Sequence, residues 1–539
     1  MSDRFRRPWA VAIRAPLGIG LTVALLGTGC SAGGADRDGT GGAGGTLTFA
    51  LAIDPTCLDP QQTTLTASLN IGRQLVDSLV DQDPTTGEFT PWLAESWQVD
   101  AKATTFTFRL REGATFSDGT PVTSASIKAN LDAVAELGAR AQLGAGYLAG
   151  YVGTTVVDER TARVEFDRPS AQFLQAASTM VLGLLSDASL AKSADERCQG
   201  ALVGSGPFTL DHYRPNQEVS ISKRPDYSWG SALFERQGDA LLDKIVYKVV
   251  PESGVRSGSL ASGQVSAISD VPPQDEPQFD GKGFRLMVRG NPGVPFNLHP
   301  NASRPVLGDE AVRLAIQQGI NRAEVVETVL SANYRAATSI LSHTTPGYTD
   351  LSGQLAYDPE AAERRLDAAG WQPGQDGVRV KDGRRLSVEV LFNTAYNGSQ
   401  SVLELVQQQL RKIGVELRLR QLTVAEQATR QSSGDYDFLW YNQTRADPDV
   451  LRSLFSTKAT NRTRIAPGPL DEVLDAQATT TESQLRNQYV AEAQQLIVER
   501  GYSIPVFELS QVHGLGQQVD GLRFDASSRL TFHGAQVTG

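Results

Sequence analysis

Residues able to do covalent or metal chemistry are few in this 539-residue chain, and their spacing decides what they can do. Gly29-Cys30-Ser31-Ala32-Gly33 fits the hydrolase pattern G-x-S-x-G, and GTGGAG at Gly39–Gly44 fits the dinucleotide pattern G-x-G-x-x-G. Each mechanism needs its loop between a strand and a helix, so that a nucleophile is exposed or a phosphate meets a helix N-terminus. Here both lie in one glycine-rich stretch with no element on either side, and both are discounted. His212, His299, His343, His513 and His533 are scattered, with neither an H-E-x-x-H run nor the Cys/His spacing of a zinc site. Asp447-Pro448-Asp449 offers two carboxylates, but spacing alone makes neither an acid nor a base. The expectation is a protein that is not an enzyme, with no metal and no cofactor.

The three cysteines divide by context. Arg4, Arg6, Arg7 and Arg14 precede or flank an uncharged run of fifteen residues, Ala15–Gly29, that ends in small residues. Such a run falls short of the roughly 20 residues a membrane-spanning helix needs. A basic start, a short apolar core and a small-residue end describe an export signal. With cysteine next, the arrangement resembles the bacterial lipobox, in which the leader is removed and the thiol is lipidated. Gly27 stands where that pattern usually has leucine, and Leu25 and Leu26 sit just upstream. Residues 1–29 are expected to be a lipoprotein signal peptide and Cys30 the lipid attachment site. Residues 30–45 then form a flexible tether that holds the body about 20 Å from the bilayer. Cys57 and Cys198 remain, in a body expected to sit in an oxidising compartment. Only one pairing is open to them, Cys57–Cys198, with two reduced thiols as the alternative.

The formal net charge is −11, and the basic leader means that the remainder is more acidic still. That balance argues against nucleic acid as a partner. A chain of this length calls for two or three folded units.

The elements that must position any site can be read from periodicity. TLTFAL alternates Leu47, Phe49 and Leu51 as a strand, and a helix is expected over Ile71, Leu75 and Leu79. TTFTFRLREG is a half-buried strand, followed by a helix with Ile127, Leu131 and Val134 inward. Further along, DEAVRLAIQQGI, AEVVETVL and DPEAAERRLDAAG read as helices. LSVEVLF, SVLELVQQQLRKIG and VELRLRQL read as strand, helix and strand, a βαβ unit that implies a parallel sheet. SIPVFELSQVHGL returns to strand character.

Eight blocks then fall in order: CLDP, LVDSLVDQDPTTGEFTPWLAESW, TFTFRLREGATFSDGTPVTS, VGSGPF, RPDYSWG, AVRLAIQQGINR, AYDPEAAERRLDAAGW and QQQLRKIGVEL. Together they resemble the peptide/nickel family of bacterial extracellular solute-binding proteins, family 5, which serve ABC importers. The resemblance runs from about residue 45 to the C-terminus. It implies an α/β, two-lobed, periplasmic-binding-protein-like fold of class II type, in the large peptide-binding subclass. Lobe one would span 46–288 with an inserted subdomain at about 80–190. Lobe two would span 289–506, and 507–539 would return to lobe one, with hinges near RGNPGVPFN and SIPVFEL.

The resemblance also places ligand contacts in three segments. Pro60–Thr66 brings Thr63 and Thr64, and Phe296–Asn301 brings Asn297 and His299. LWYNQTRADPDVLRSLF brings Trp440, Tyr441, Gln443, Arg445 and Asp447. Peptide-binding members carry an aspartate a few residues after the tryptophan that pairs with the peptide amine, whereas Gln443 and Thr444 stand there. A neutral amide cannot supply that charge-assisted bond, so a plain free-amine peptide is placed in doubt. Arg445 could meet a ligand carboxylate or tie down Asp447 or Asp449. The implied partners are a small, peptide-like solute, an ABC permease with its ATPase subunits, and the membrane through the lipid anchor, with the receptor a monomer. A metal chelate or an oligosaccharide is the alternative cargo, and a surface-anchored hydrolase the alternative class.

Overall fold

The computed structural model describes residues 44–281, 283–393, 396 and 398–538. The leader, Cys30 and most of the tether lie outside the described residues.

Thr46–Leu51 sits inside a seven-stranded sheet, where Leu47, Phe49, Ala50 and Leu51 are buried. A strand buried on both faces loses the simple alternation of a half-exposed one. The sheet order is 284–290, 510–516, 267–268, 46–51, 244–249, 218–223 and 208–214. Thr46–Leu51 runs parallel to Lys244–Val249 and Ala267–Ile268, and the remaining pairings are antiparallel. Between its first strand and Phe208 the chain builds a separate antiparallel sheet from Ala94–Val99, Thr105–Leu110, Thr161–Phe166 and Tyr151–Asp158. The helix Ser124–Leu137 packs there with Ile127, Leu131 and Val134 buried. This insertion shares one core with the large sheet, running from Leu47 and Phe49 to Phe106, Phe108 and Phe173.

The helix expected to reach Leu79 stops earlier, spanning Thr66–Leu75. The reason is the glycine-rich turn that packs on its end. Gly206 N–H donates to the Leu75 carbonyl at 3.0 Å. A Cβ on Gly204 would lie 1.9 Å from that same oxygen, so only glycine allows the approach. VGSGPF is thus a helix stop.

Lobe two is built on a six-stranded sheet ordered 335–336, 504–508, 293–300, 438–444, 387–392 and 416–421. Ser387–Phe392 and Glu416–Gln421 are parallel neighbours joined by the helix Ser399–Lys412, whose Val402, Leu403, Val406 and Leu410 face inward. That is the βαβ unit read from sequence.

Two connections join the sheets. Phe284–Gly290 in the first leads through Asn291 and Pro292 to Gly293–Pro300 in the second. Ile504–Glu508 in the second leads through Leu509 to Ser510–Gly516 in the first. SIPVFELSQVHGL is therefore two strands in different sheets. The connections are bonded to each other, Asn291 N–H donating to the Leu509 carbonyl at 2.7 Å.

Candidate ligand-binding cleft

Register fixes which strand ends meet at the crossing. Phe438–Thr444 and Ile504–Glu508 both run antiparallel to Gly293–Pro300, so Thr444 ends opposite Gly293, beside the connection. In lobe one, Thr46–Leu51 runs toward the start of Ser510–Gly516, through Ile268 and Gly514. The loops after Leu51 and after Thr444 therefore both emerge at the crossing. Gly293 has φ +103°, and a Cβ there would lie 2.2 Å from the Gln443 carbonyl oxygen and 2.6 Å from Arg445 N. The close approach that seats this loop requires glycine.

The loop after Leu51 is fastened to the insertion side of lobe one. Cys57 and Cys198 are disulfide-bonded across 141 residues. Asp59 pairs with Arg197 at 3.2 Å, and burial still pushes its carboxyl upward against that pull. Gln61 Nε2 donates to Asn130 Oδ1 at 2.8 Å and to the Gly183 carbonyl at 3.1 Å. Thr63 is buried, its Oγ1 accepting from Leu65 N–H at 3.1 Å, while Thr64 is exposed. The disulfide thus holds the foot of a loop that carries two of the residues singled out from sequence.

Two residues of the middle segment lie deep in lobe two. His299 is 0% exposed and stacks on Tyr441 with ring centroids 4.0 Å apart. Its Nδ1 meets Ser503 Oγ at 3.0 Å and its Nε2 meets the Tyr441 carbonyl at 3.3 Å. Burial drives its pKa down to about 3, so it is neutral. Both ring nitrogens of His299, expected from sequence to meet the ligand, are engaged by the protein. Asn297 is also fully buried, but neither atom of its side-chain amide finds a protein partner among the described residues.

The strand end separates into filled and open positions. Trp440 stacks on Phe296 at 5.2 Å, and Phe296 on Phe507 at 4.9 Å. The indole N–H donates to Ser399 Oγ at 3.1 Å. Trp440 is buried and packs in the core of lobe two. Tyr441 is held between the His299 ring and the Arg462 guanidinium, 5.3 Å from its centroid. Burial raises its hydroxyl pKa. Thr444 Oγ1 accepts from Asn291 Nδ2 at 2.8 Å and is thereby tied to the connection. Asp447 accepts two bonds from Arg486, at 2.7 and 2.9 Å. Asp449 is held by Arg452 at 2.7 and 2.8 Å and by Gln477. Asp447 is thus half of an ion pair within lobe two. Gln443 makes no side-chain hydrogen bond among the described residues.

Arg445 ties down neither aspartate. Its Nη1 donates to Gln172 Oε1 at 3.0 Å, and its guanidinium lies over the Tyr147 ring at 4.6 Å. Gln172 and Tyr147 both belong to the insertion in lobe one, so this contact spans the two lobes. Ala171 N–H donating to the Ala478 carbonyl at 3.2 Å spans them too. Neither Gln172 nor Tyr147 carried a sequence signal: each is a common residue type, and Gln172 stands 273 positions from its partner.

Comparison with known proteins agrees with this architecture. The family model described as bacterial extracellular solute-binding proteins, family 5, middle region, matches residues 88–463. The probable D,D-dipeptide-binding periplasmic protein DdpA of Escherichia coli K12 is 24% identical over 503 residues, 90% of this chain and 93% of that protein. The crystal structure of NikA from Brucella suis with Fe(III)-EDTA superposes with a TM-score of 0.80 at 22% identity, covering 92% of this chain and all of that one. A dipeptide-binding protein from Pseudoalteromonas sp. SM9913 with Met-Leu gives 0.76 at 20% identity, over 92% of this chain. The chain belongs to the family 5 bacterial extracellular solute-binding proteins.

Proposed function

We propose that this protein is the extracytoplasmic receptor of an ABC importer, closing its two lobes on a small peptide-like solute and presenting the closed form to the permease. The observation that carries the reading is the architecture of a family 5 chain: two sheets joined by two adjacent connections, with loops from both emerging at the crossing. A solute that touches both lobes only when they are closed shifts the population toward closure, and no chemistry is required of the protein. Membrane anchoring through Cys30 and monomeric action belong to the same proposal, supported by the leader and the glycine-rich tether. DdpA, by its name, supports a short peptide as cargo.

The test is mass spectrometry of whatever small molecule copurifies with the chain, followed by calorimetry with that compound. The expected result is one-to-one binding with the ligand recovered unchanged. Recovery of a cleaved product would place the protein among the hydrolases instead.

A further inference from the structure

The open edge of the insertion's sheet differs from the other edges of the three larger sheets. Strand Tyr151–Asp158 is paired on one side only, with Thr161–Phe166. Open edges invite pairing with another chain, and proteins commonly blunt them with charge. The five other edges follow that rule, carrying Arg285, Asp211, Arg335, Arg418 and Glu95. From Tyr151 to Val157 this edge carries no charge, and Val152, Val156 and Val157 are 68%, 43% and 53% exposed. They are three of the nine large apolar side chains exposed among the described residues. The strand is seated firmly from behind. Tyr151 Oη donates to Asp132 Oδ1 at 2.7 Å on the helix Ser124–Leu137, and Thr154 is buried. Asp158, at the strand's end, is exposed and has no cation within ion-pair distance among the described residues.

We infer that this edge is where two copies of the chain meet, strand to strand and antiparallel. The occupant is a second copy because the edge matches itself. Val152 and Val156 lie two residues either side of Thr154. A two-fold axis at Thr154 therefore sets Val152 of each copy opposite Val156 of the other. The same axis sets Asp158 of each copy opposite Gly150 of the other. Arg168 lies there: a Cβ on Gly150 would be 2.7 Å from its Nε, and its exposed guanidinium is bonded to Asp167 at 2.6 Å. The free acid of one copy thus meets a cation of the other, twice. Eight paired residues make a small contact, below the roughly 1,200 Å² of a stable interface. Copies in dilute solution therefore stay single, and pairing grows where they are crowded on one surface. Each copy keeps its own cleft, so the inference stands apart from the receptor reading.

The test uses the mature chain carrying Cys30→Ala, which leaves Cys57 and Cys198 bonded to each other. Sedimentation is followed from about 10 µM to about 1 mM, the weak end of the affinity scale. Expected is a monomer that becomes a dimer over that range. A Val156→Lys chain should stay a monomer throughout, and a Val424→Lys control, exposed on lobe two, should behave as the parent. Register is read separately, by mixing a Val152→Cys chain with a Val156→Cys chain under mild oxidation. The mixture should give several-fold more disulfide-linked dimer than a Val424→Cys chain, with positions 152 and 156 joined. A chain that stays monomeric to the highest concentration and links no more than the control would overturn the inference. So would a dimer that survives Val156→Lys. The same cysteine chains are also oxidised in the membranes of the exporting cell, where linkage from position 156 only to a different protein would assign the edge to that protein instead.

Discussion

Arg486 grips the carboxylate of Asp447 with both of its terminal nitrogens, Nη2 at 2.7 Å from Oδ1 and Nη1 at 2.9 Å from Oδ2. Asp447 is buried and Arg486 largely so, with side chains 6% and 16% exposed, so removing one charge strands the other. Asp447→Asn is expected to destabilise the fold by about 3–5 kcal/mol. Any preference for a ligand amine should stay unchanged, because Arg486 already engages both oxygens of this carboxylate. Urea unfolding measures the first and paired titrations with free and blocked amines the second. A hundredfold affinity loss with little change in stability would return Asp447 to the cleft.

N-acetylation of a bound peptide should weaken affinity by less than about tenfold. The family resemblance aligns Gln443 and Thr444 with the position of an amine-pairing acid, and Thr444 is bonded to Asn291. A charge-assisted bond contributes about 1.5–3 kcal/mol, so its presence would show as a much larger loss. Calorimetry with free and acetylated forms of one peptide decides.

Reduction of Cys57–Cys198 should lower stability by up to about 5 kcal/mol on the chain-entropy model, since the bond closes a loop of 141 residues. The effect on affinity should be separate and visible, because the bond anchors the loop that carries Thr63 and Thr64. Denaturant titration with and without reductant checks the first, and solute titration of Cys57→Ser/Cys198→Ser the second.

Acid should weaken the fold partly through His299. With its pKa near 3 in the folded state, it stays neutral where an unfolded histidine, near 6.5, takes a proton. The unfolded chain therefore binds more protons as pH falls from 6.5 toward 3, and stability is lost across that window. His513, lowered to about 4, acts in the same direction. Asp77 and Asp81 act oppositely: burial raises them to about 7 and about 6, so their contribution fades as pH rises from 3.8. The cost of His299→Asn, measured by urea unfolding, should accordingly shrink as pH drops below 6.5. A cost independent of pH would show that the ring titrates normally.

Cys30→Ala should release the mature protein from the membrane fraction, as expected of a lipobox cysteine. Fractionation after a high-salt wash measures it. Retention of the variant in the membrane would rule out lipid anchoring at that residue.

What could be read from sequence follows from range. The strand at Thr46, the helix at Ser124 and the βαβ unit from Ser387 to Gln421 have periodicities written in contiguous residues. The early end of the helix at Leu75 was hidden because its cause, Gly204 and Gly206, lies about 130 residues away. The cleft was harder still. Trp440 and His299 are residue types that suit a pocket or a core equally, and their neighbours Phe296 and Ser503 lie far from them in sequence. Arg445 became informative only once Arg486 and Arg452 were seen to occupy the aspartates beside it.

The bond from Asn291 to Leu509 constrains how the lobes can part. A single connection would let one lobe swivel and slide on the other as well as bend. Two connections bonded side by side resist both, since swivelling stretches one against the other and sliding shears the bond between them. Bending is left as the soft coordinate. Parting of the lobes would then follow one path, and on the receptor reading a transporter would have a single variable to sense, the gape.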